Sequence, residues 1–299
     1  MAITVWPVTP SFAAEIGDVD LSRSLDDSDV AAIKQAFWDY AVLIFPEQDL
    51  SEEQHLDFAR HFGPLETVTA LKRQAKLRLR EELADVSNLS YRNEIWREEG
   101  RLRNLAVANR LWHTDSSFKY LPARASLLYG RAIPPVAGHT EFADLRAAYD
   151  ALAATTKARL EGLVAEHSLM HSRARTGFTD FTDDERVTLR AVPQVMVRTI
   201  PENDRRTLYI ASHIGKIRGL ADDQTRQLVD ELITHATQPQ FVYTHRWRKH
   251  DLVMWDDRCT MHRGREFDDL RWIRDMHRAT VSDVANTCEQ AGFTPTVEA

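Results

Sequence analysis

Cysteine is scarce: Cys259 and Cys288 are the two in 299 residues. A disulfide-stapled scaffold is therefore excluded, and a reducing cytoplasm is the expected compartment. Long apolar runs are also missing, none approaching the roughly 20 residues of a bilayer-spanning helix. No charged-then-apolar leader precedes Trp6 and Pro7, so neither export nor a membrane partner is expected. A basic excess is lacking too: 38 Lys and Arg face 45 Asp and Glu, a net charge of −7, which argues against a nucleic-acid partner. There is no Gly-rich phosphate loop, internal repeat or low-complexity tract. What is present is 43% hydrophobic residues, enough for a sizeable core in one β-rich domain spanning 1–299.

The order of elements is mixed. Val30, Ile33 and Phe37 recur at helical spacing over 27–40, and the apolar run 42–45, ended by Pro46, reads as a buried strand. Ser51 with Gln54 forms a capping-box signature opening a helix toward Phe62. Helices are expected from 144 to about 168, marked by Leu145, Leu152, Leu160 and Leu163, and over 222–235. Strand-like runs lie at 126–129, 195–199, 207–210, 241–243, 252–255 and 276–281. From periodicity alone the class is α+β.

Chemistry enters with four polar residues in a fixed order: His113, Asp115, then His262 and Arg274 far downstream. Two neutral imidazoles and a carboxylate can hold one face of a ferrous ion and leave three positions open, as a non-haem oxygenase requires. A His-x-Asp triplet alone is cheap, on the order of one by chance among twelve histidines. His55 and Asp57 supply a second. They fall in the helix after Ser51, where positions i and i+2 do not face each other. Around His113, Trp112, Thr114, Phe118 and Tyr120 favour a strand or strand end, where i and i+2 share a face and converge.

His262 follows the run 252–255 and the turn-forming pair Asp256 and Asp257. Twelve residues on, a strand reading puts Arg274, Met276, Arg278 and Thr280 on one face and Asp275, His277 and Ala279 on the other. Two arginines on an inward face are costly unless anions meet them, and a dicarboxylate co-substrate would satisfy both.

Five stretches, 62–66, 111–118, 138–152, 235–243 and 251–280, make the chain similar to the 2-oxoglutarate-dependent taurine dioxygenase family. Within it, the chain most resembles the bacterial dioxygenases that cleave 2,4-dichlorophenoxyacetate. The resemblance implies a double-stranded β-helix (jelly-roll) core with flanking and inserted helices, and Fe(II), 2-oxoglutarate and O2 as cofactor and co-substrates. It implies His113, Asp115 and His262 as iron ligands, Arg274 as partner of the distal 2-oxoglutarate carboxylate, and Thr140 as a second contact to it. Arg278 is implied to lie in the pocket, on the keto-acid end or on the substrate carboxylate. The implied reaction hydroxylates the carbon beside the ether oxygen of a small anionic aryloxy-carboxylate, releasing a phenol and glyoxylate, in a homo-oligomer. A sulfonate or alkyl sulfate is the alternative substrate. A non-redox divalent-metal hydrolase or a plain metal-binding protein is the alternative from another class.

The segment 66–110 is the most charged: nine basic and six acidic residues lie between Lys72 and Arg103. It reads either as a solvated surface stretch or as a lid over the site, with Lys72 reaching a substrate carboxylate. Asn109, just before the metal motif, reads as a substrate contact or a turn-stabilising side chain. A helical insertion is expected at about 144–190. Trp112 and Trp255 read as packing beside the ligands, and Cys259 as a small buried apolar side chain. His213, His245, His250 and His277 read as surface or structural hydrogen-bonders.

Overall fold

The structure, a computed structural model, describes residues 3–68 and 76–295. Strands β1 (Thr4–Pro7) and β2 (Ala13–Gly17) lead to helix α1 (Asp27–Tyr40), which starts where the Asp26 side chain accepts the Asp29 amide. Ile33 and Phe37 form its buried face, and Ala41, left-handed at φ 63, turns the chain into β3 (Val42–Phe45). Helix α2 (Glu52–Arg60) opens on the expected Ser51 and Gln54 capping box. Then come β4 (Leu83–Asp85), α3 (Arg101–Val107), β5 (Ala123–Ala132) and β6 (Thr140–Asp144).

The helix expected from 144 to about 168 is divided. Helices α4 (Leu145–Asp150) and α5 (Ala154–Leu160) are short, and Gly162 at φ 72 ends the helical run. The next residues are strand β7 (Val164–His167), held on both edges by β8 (Val192–Val195) and β11 (Ile214–Ile217). Ladder bonds on two sides outweigh the local helical spacing. Helices α6 (Leu169–Ala174) and α7 (Asp183–Thr188) lie between β7 and β8. The single strand read over 195–199 is also two. β8 stops at Val195, while β9 (Val197–Ile200) pairs with β10 (Arg205–Leu208) in a different sheet. Helix α8 (Asp222–Ala236) matches expectation; β12 (Val242–His245), β13 (Leu252–Asp256), β14 (Thr260–Gly264), β15 (Asp275–Ser282) and α9 (Thr287–Gln290) complete the order.

One seven-stranded sheet runs β1-β2-β3-β13-β5-β15-β4. Against it stand three smaller sheets, β12-β6-β14, β11-β7-β8 and β10-β9. Strand β3 and residues 252–255 of β13 are apolar at every position because both faces are covered. Leu43, Phe45, Leu127, Leu252 and Met254 pack outward on Ile33, Phe37 and Leu56 of the first two helices. Val42, Ile44, Leu128, Val253 and Trp255 point inward to Phe142 and Cys259 of the second layer. The far side of that layer is closed by Leu145 and Ala148 of α4 and Leu228 and Leu232 of α8. Each fully buried apolar side chain contributes about 1.5–3 kcal/mol, so the two-sided packing makes the sheet edge a rigid mount for the polar residues at its end. This is the jelly-roll α+β architecture expected. Among the described residues no helix is long and apolar enough to cross a membrane.

Candidate active site

The link from β13 into β14 returns the chain so that His262 is the third residue of β14. His113 lies opposite it through an isolated bridge, its amide donating to the His262 carbonyl at 3.0 Å and its carbonyl accepting from the His262 amide at 2.7 Å. The strand expected around His113 is thus one bridge residue long. Beyond it the Asp257 carboxylate accepts the Asp115 amide at 3.0 Å, and the Thr114 hydroxyl donates to the Asp257 carbonyl at 2.7 Å, which pulls the chain into a turn. Ser116 sits at φ 52 in that turn, a conformation costing a non-glycine residue about 1 kcal/mol or more.

His113 and Asp115 converge all the same. His113 Nε2 lies 4.0 Å from Asp115 Oδ1, His262 Nε2 lies 3.7 Å from Asp115 Oδ2, and the two imidazole centroids are 4.2 Å apart. One donor atom from each of the three falls within 4.8 Å of the others, the sole such His, Cys, Asp and Glu group of three among the described residues. The Leu111 carbonyl accepts from His113 Nδ1 at 2.7 Å, so the proton is on Nδ1 and the Nε2 lone pair is free. Burial depresses both His113 and His262 below the usual imidazole range, keeping them neutral ligands. Burial pushes the Asp115 carboxyl up, but the Arg278 guanidinium, the two imidazoles and the Ser126 hydroxyl together outweigh this and hold it below the usual carboxylate range. Ser126 Oγ donates to Asp115 Oδ2 at 2.8 Å. Two neutral imidazoles and an ionised carboxylate at this spacing fit one divalent ion.

The competing pair does not assemble. His55 is buried under β5 with Nε2 3.1 Å from the Leu127 carbonyl, whereas Asp57 is exposed and pairs with Arg60 at 2.5 Å. Cys259 is buried, its thiol pushed well up by burial, and contacts the Asp256 carbonyl rather than the ligand set.

A cavity of about 310 Å³ opens on the three ligands. Arg274 lines it, and its guanidinium has one hydrogen bond, from Nη1 to the Val86 carbonyl at 3.3 Å. No carboxylate pairs with it among the described residues, and burial pulls its pKa down to about 10. An unpaired guanidinium facing a cavity fits the carboxylate of a diacid. Arg278 and Thr280 line the same wall, as the alternation along β15 predicts, and Arg278 Nη1 donates to Asp115 Oδ1. The Thr140 hydroxyl, also at the wall, accepts from Trp247 Nε1 at 2.9 Å. Asn109 lines the cavity and its Oδ1 accepts from Arg173 Nη2 at 3.3 Å. Lys72 lies outside the described residues. Leu77, Leu79, Trp96, Leu102 and Leu105, all from the charged segment 66–110, give the cavity an apolar wall with Phe118.

Three groups at the site are not legible in sequence. His213, expected at the surface or in a structural bond, is buried against the His113 ring at 6.0 Å and the Phe118 ring at 5.0 Å. Ser172 Oγ meets its Nδ1 at 2.8 Å, while Nε2 has no partner at the cavity wall. Arg173 reaches the cavity from α6, and Asp257 holds the metal-ligand turn while accepting Trp255 Nε1 at 3.0 Å. Each arrives through tertiary packing and carries no local motif.

A divalent-metal triad, an unpaired arginine and a jelly-roll scaffold together define an oxygenase of the non-haem iron class. The chain belongs to the family described as taurine catabolism dioxygenase TauD, TfdA family, which matches residues 4–280. It is 42% identical over 286 residues to the alpha-ketoglutarate-dependent 2,4-dichlorophenoxyacetate dioxygenase of Cupriavidus pinatubonensis, covering 95% of this chain and 99% of that one. The (S)-phenoxypropionate/alpha-ketoglutarate-dioxygenase of Sphingobium herbicidovorans is 35% identical, with 89% and 91% covered. Among solved structures, AAD-2 in complex with Mn(II) and N-oxalylglycine superposes with a TM-score of 0.93 at 44% identity, over 96% of this chain and 100% of that one.

Proposed function

We propose that the chain is an Fe(II)- and 2-oxoglutarate-dependent dioxygenase that hydroxylates the carbon beside the ether oxygen of aryloxyacetates such as 2,4-dichlorophenoxyacetate. The observation that carries this reading is the triad of His113, Asp115 and His262 sharing a cavity with Arg274, which has no carboxylate partner among the described residues. The relatives' names supply the substrate class.

In this reading His113, Asp115 and His262 hold the iron. Iron with 2-oxoglutarate and O2 supplies the oxidising power, one oxygen atom ending in succinate and the other in the substrate, with CO2 released. The protein's part is placement. Arg274 takes the distal carboxylate of 2-oxoglutarate and Thr140 gives it a second contact, so the co-substrate enters in one orientation. Arg278 keeps Asp115 ionised and oriented, and Ser126 fixes its other oxygen. The apolar wall from 66–110 holds the aryl ring and excludes water, and Asn109 and Lys72 belong to the substrate side. The hydroxylated product is a hemiacetal, which separates into a phenol and glyoxylate.

A hydrolase using the same three ligands would have no use for an unpaired Arg274 at the cavity wall. The two buried free thiols, Cys259 and Cys288, favour a reducing cytoplasm, and a homo-oligomer is expected by light scattering. The deciding experiment incubates anaerobically purified protein with Fe(II) and 2-oxoglutarate, adds O2 and a panel of aryloxyacetates, and measures succinate and phenol together. Equal amounts support the reading. Succinate formed only with a sulfonate or alkyl sulfate removes the aryloxyacetate substrate and keeps the oxygenase.

A further inference from the structure

Seven arginines line the cavity; Arg78, Arg103, Arg110 and Arg265 each meet a carboxylate, and the surroundings of the other three differ. Arg274 is acted on by burial alone, with no acidic or basic neighbour contributing. Arg278 already has an anionic partner in Asp115. Arg173 has neither arrangement. It projects from α6, beside Ser172, whose hydroxyl meets His213. Its Nη2 donates to Asn109 Oδ1 at 3.3 Å, its Nε is shielded from solvent without a partner, and no carboxylate pairs with it among the described residues. It lines the same cavity as His113 and Asp115, and burial pulls its pKa down to about 10.

Two anions must enter this cavity in the reading above, the diacid co-substrate and the substrate carboxylate. Arg274, whose guanidinium has no carboxylate partner among the described residues, serves the far end of the diacid. A guanidinium with a free N–H, a neutral hydrogen-bond partner and a place near Asp115 remains for the second anion. We propose that Arg173, steadied by Asn109, binds the anionic end of the substrate and makes a negative charge there a requirement for turnover. This rests on the functional reading above and assigns the substrate carboxylate to α6 as well as to β15.

The test compares 2,4-dichlorophenoxyacetate with its neutral alcohol analogue, 2-(2,4-dichlorophenoxy)ethanol, in the wild type, Arg173→Gln and Arg173→Lys. Loss of a charge-assisted pair predicts that Arg173→Gln lowers the acid-over-alcohol ratio of kcat/KM by about 30-fold, mostly through KM for the acid. The KM for 2-oxoglutarate is expected to move less than threefold, and Arg173→Lys, which keeps the charge, recovers part of the ratio. An unchanged ratio, with phenol still formed by the wild type, overturns the role of Arg173 and leaves the function standing. A rise confined to the 2-oxoglutarate KM overturns it too, placing Arg173 on the co-substrate. If the wild type forms no phenol but makes succinate with an alkanesulfonate or alkyl sulfate, the aryloxyacetate reading falls. Arg173→Gln must then raise the KM for that anion by a comparable factor, and an unchanged KM overturns the proposal. Turnover of none of these anions by the wild type overturns both.

Discussion

Replacing Arg274 with methionine is expected to move two observables in opposite directions. Among the described residues the guanidinium has one carbonyl partner and no carboxylate, and burial lowers its pKa to about 10. An unpaired charge in a deep interior costs several kcal/mol, and the Val86 bond and the open cavity beside the group reduce this to about 1 kcal/mol. Arg274→Met should therefore raise the melting temperature of the metal-free protein by roughly 2 °C in a chain of this size. Affinity for 2-oxoglutarate should fall instead, because a bidentate pair of about 3 kcal/mol disappears, which is a loss of roughly a hundredfold. Differential scanning fluorimetry of the metal-free protein reads the first effect. Calorimetric titration of 2-oxoglutarate into the Mn(II)-loaded protein reads the second. Destabilisation of the metal-free variant together with a less than threefold change in 2-oxoglutarate affinity would refute the reasoning, since it would mean that Arg274 serves packing and not an incoming carboxylate.

Other consequences follow from the same geometry. Ser126→Ala removes the 2.8 Å bond to Asp115 Oδ2 and is expected to weaken Mn(II) binding by about 10- to 100-fold, read by competitive titration, with little change in fold by circular dichroism. His55 and His167 are buried away from the metal ligands, and burial lowers both to about 3. The unfolded chain binds protons on them below its own value near 6.5 while the folded chain does not, so their contribution is whole above that pH and lost as pH falls toward 3. The slope approaches about 1.4 kcal/mol per pH unit for each, and urea midpoints at pH 7.5 and 5.5 should show stability falling with acid. A pH-independent midpoint would contradict the buried neutral state. His213→Ala opens space beside His113 and Phe118, and a rise in KM for substrate with unchanged Mn(II) affinity is expected from steady-state kinetics and titration.

Much of the site is written locally. The His-x-Asp spacing at 113 and 115 works because the chain there is extended enough for i and i+2 to share a direction, even though the ladder is one bridge long. The copy at 55 and 57 fails for the reason its capping box announces: on α2 the histidine faces the core and the aspartate faces water. Alternation along β15 places Arg278 and Thr280 on one wall, and Arg274, just before the strand and its irregularity at Asp275 and Met276, lines the same cavity. His213 and Arg173 are different. Their role depends on where β11 and α6 are carried by long-range packing, and no spacing in the chain records that. The misread helix has the same origin. Leu160 and Leu163 fit a helical period, but Gly162 ends the helix and β8 and β11 supply ladder partners from 25 to 52 residues away.

The central claim is that three side chains, His262 lying 149 and 147 positions beyond His113 and Asp115, hold one divalent ion. Mn(II) titration followed by electron paramagnetic resonance tests it directly. One tightly bound Mn(II) per chain in the wild type and in His55→Ala, and none in His113→Ala or His262→Ala, is the predicted result. Full binding retained by His262→Ala, or lost in His55→Ala, would contradict it.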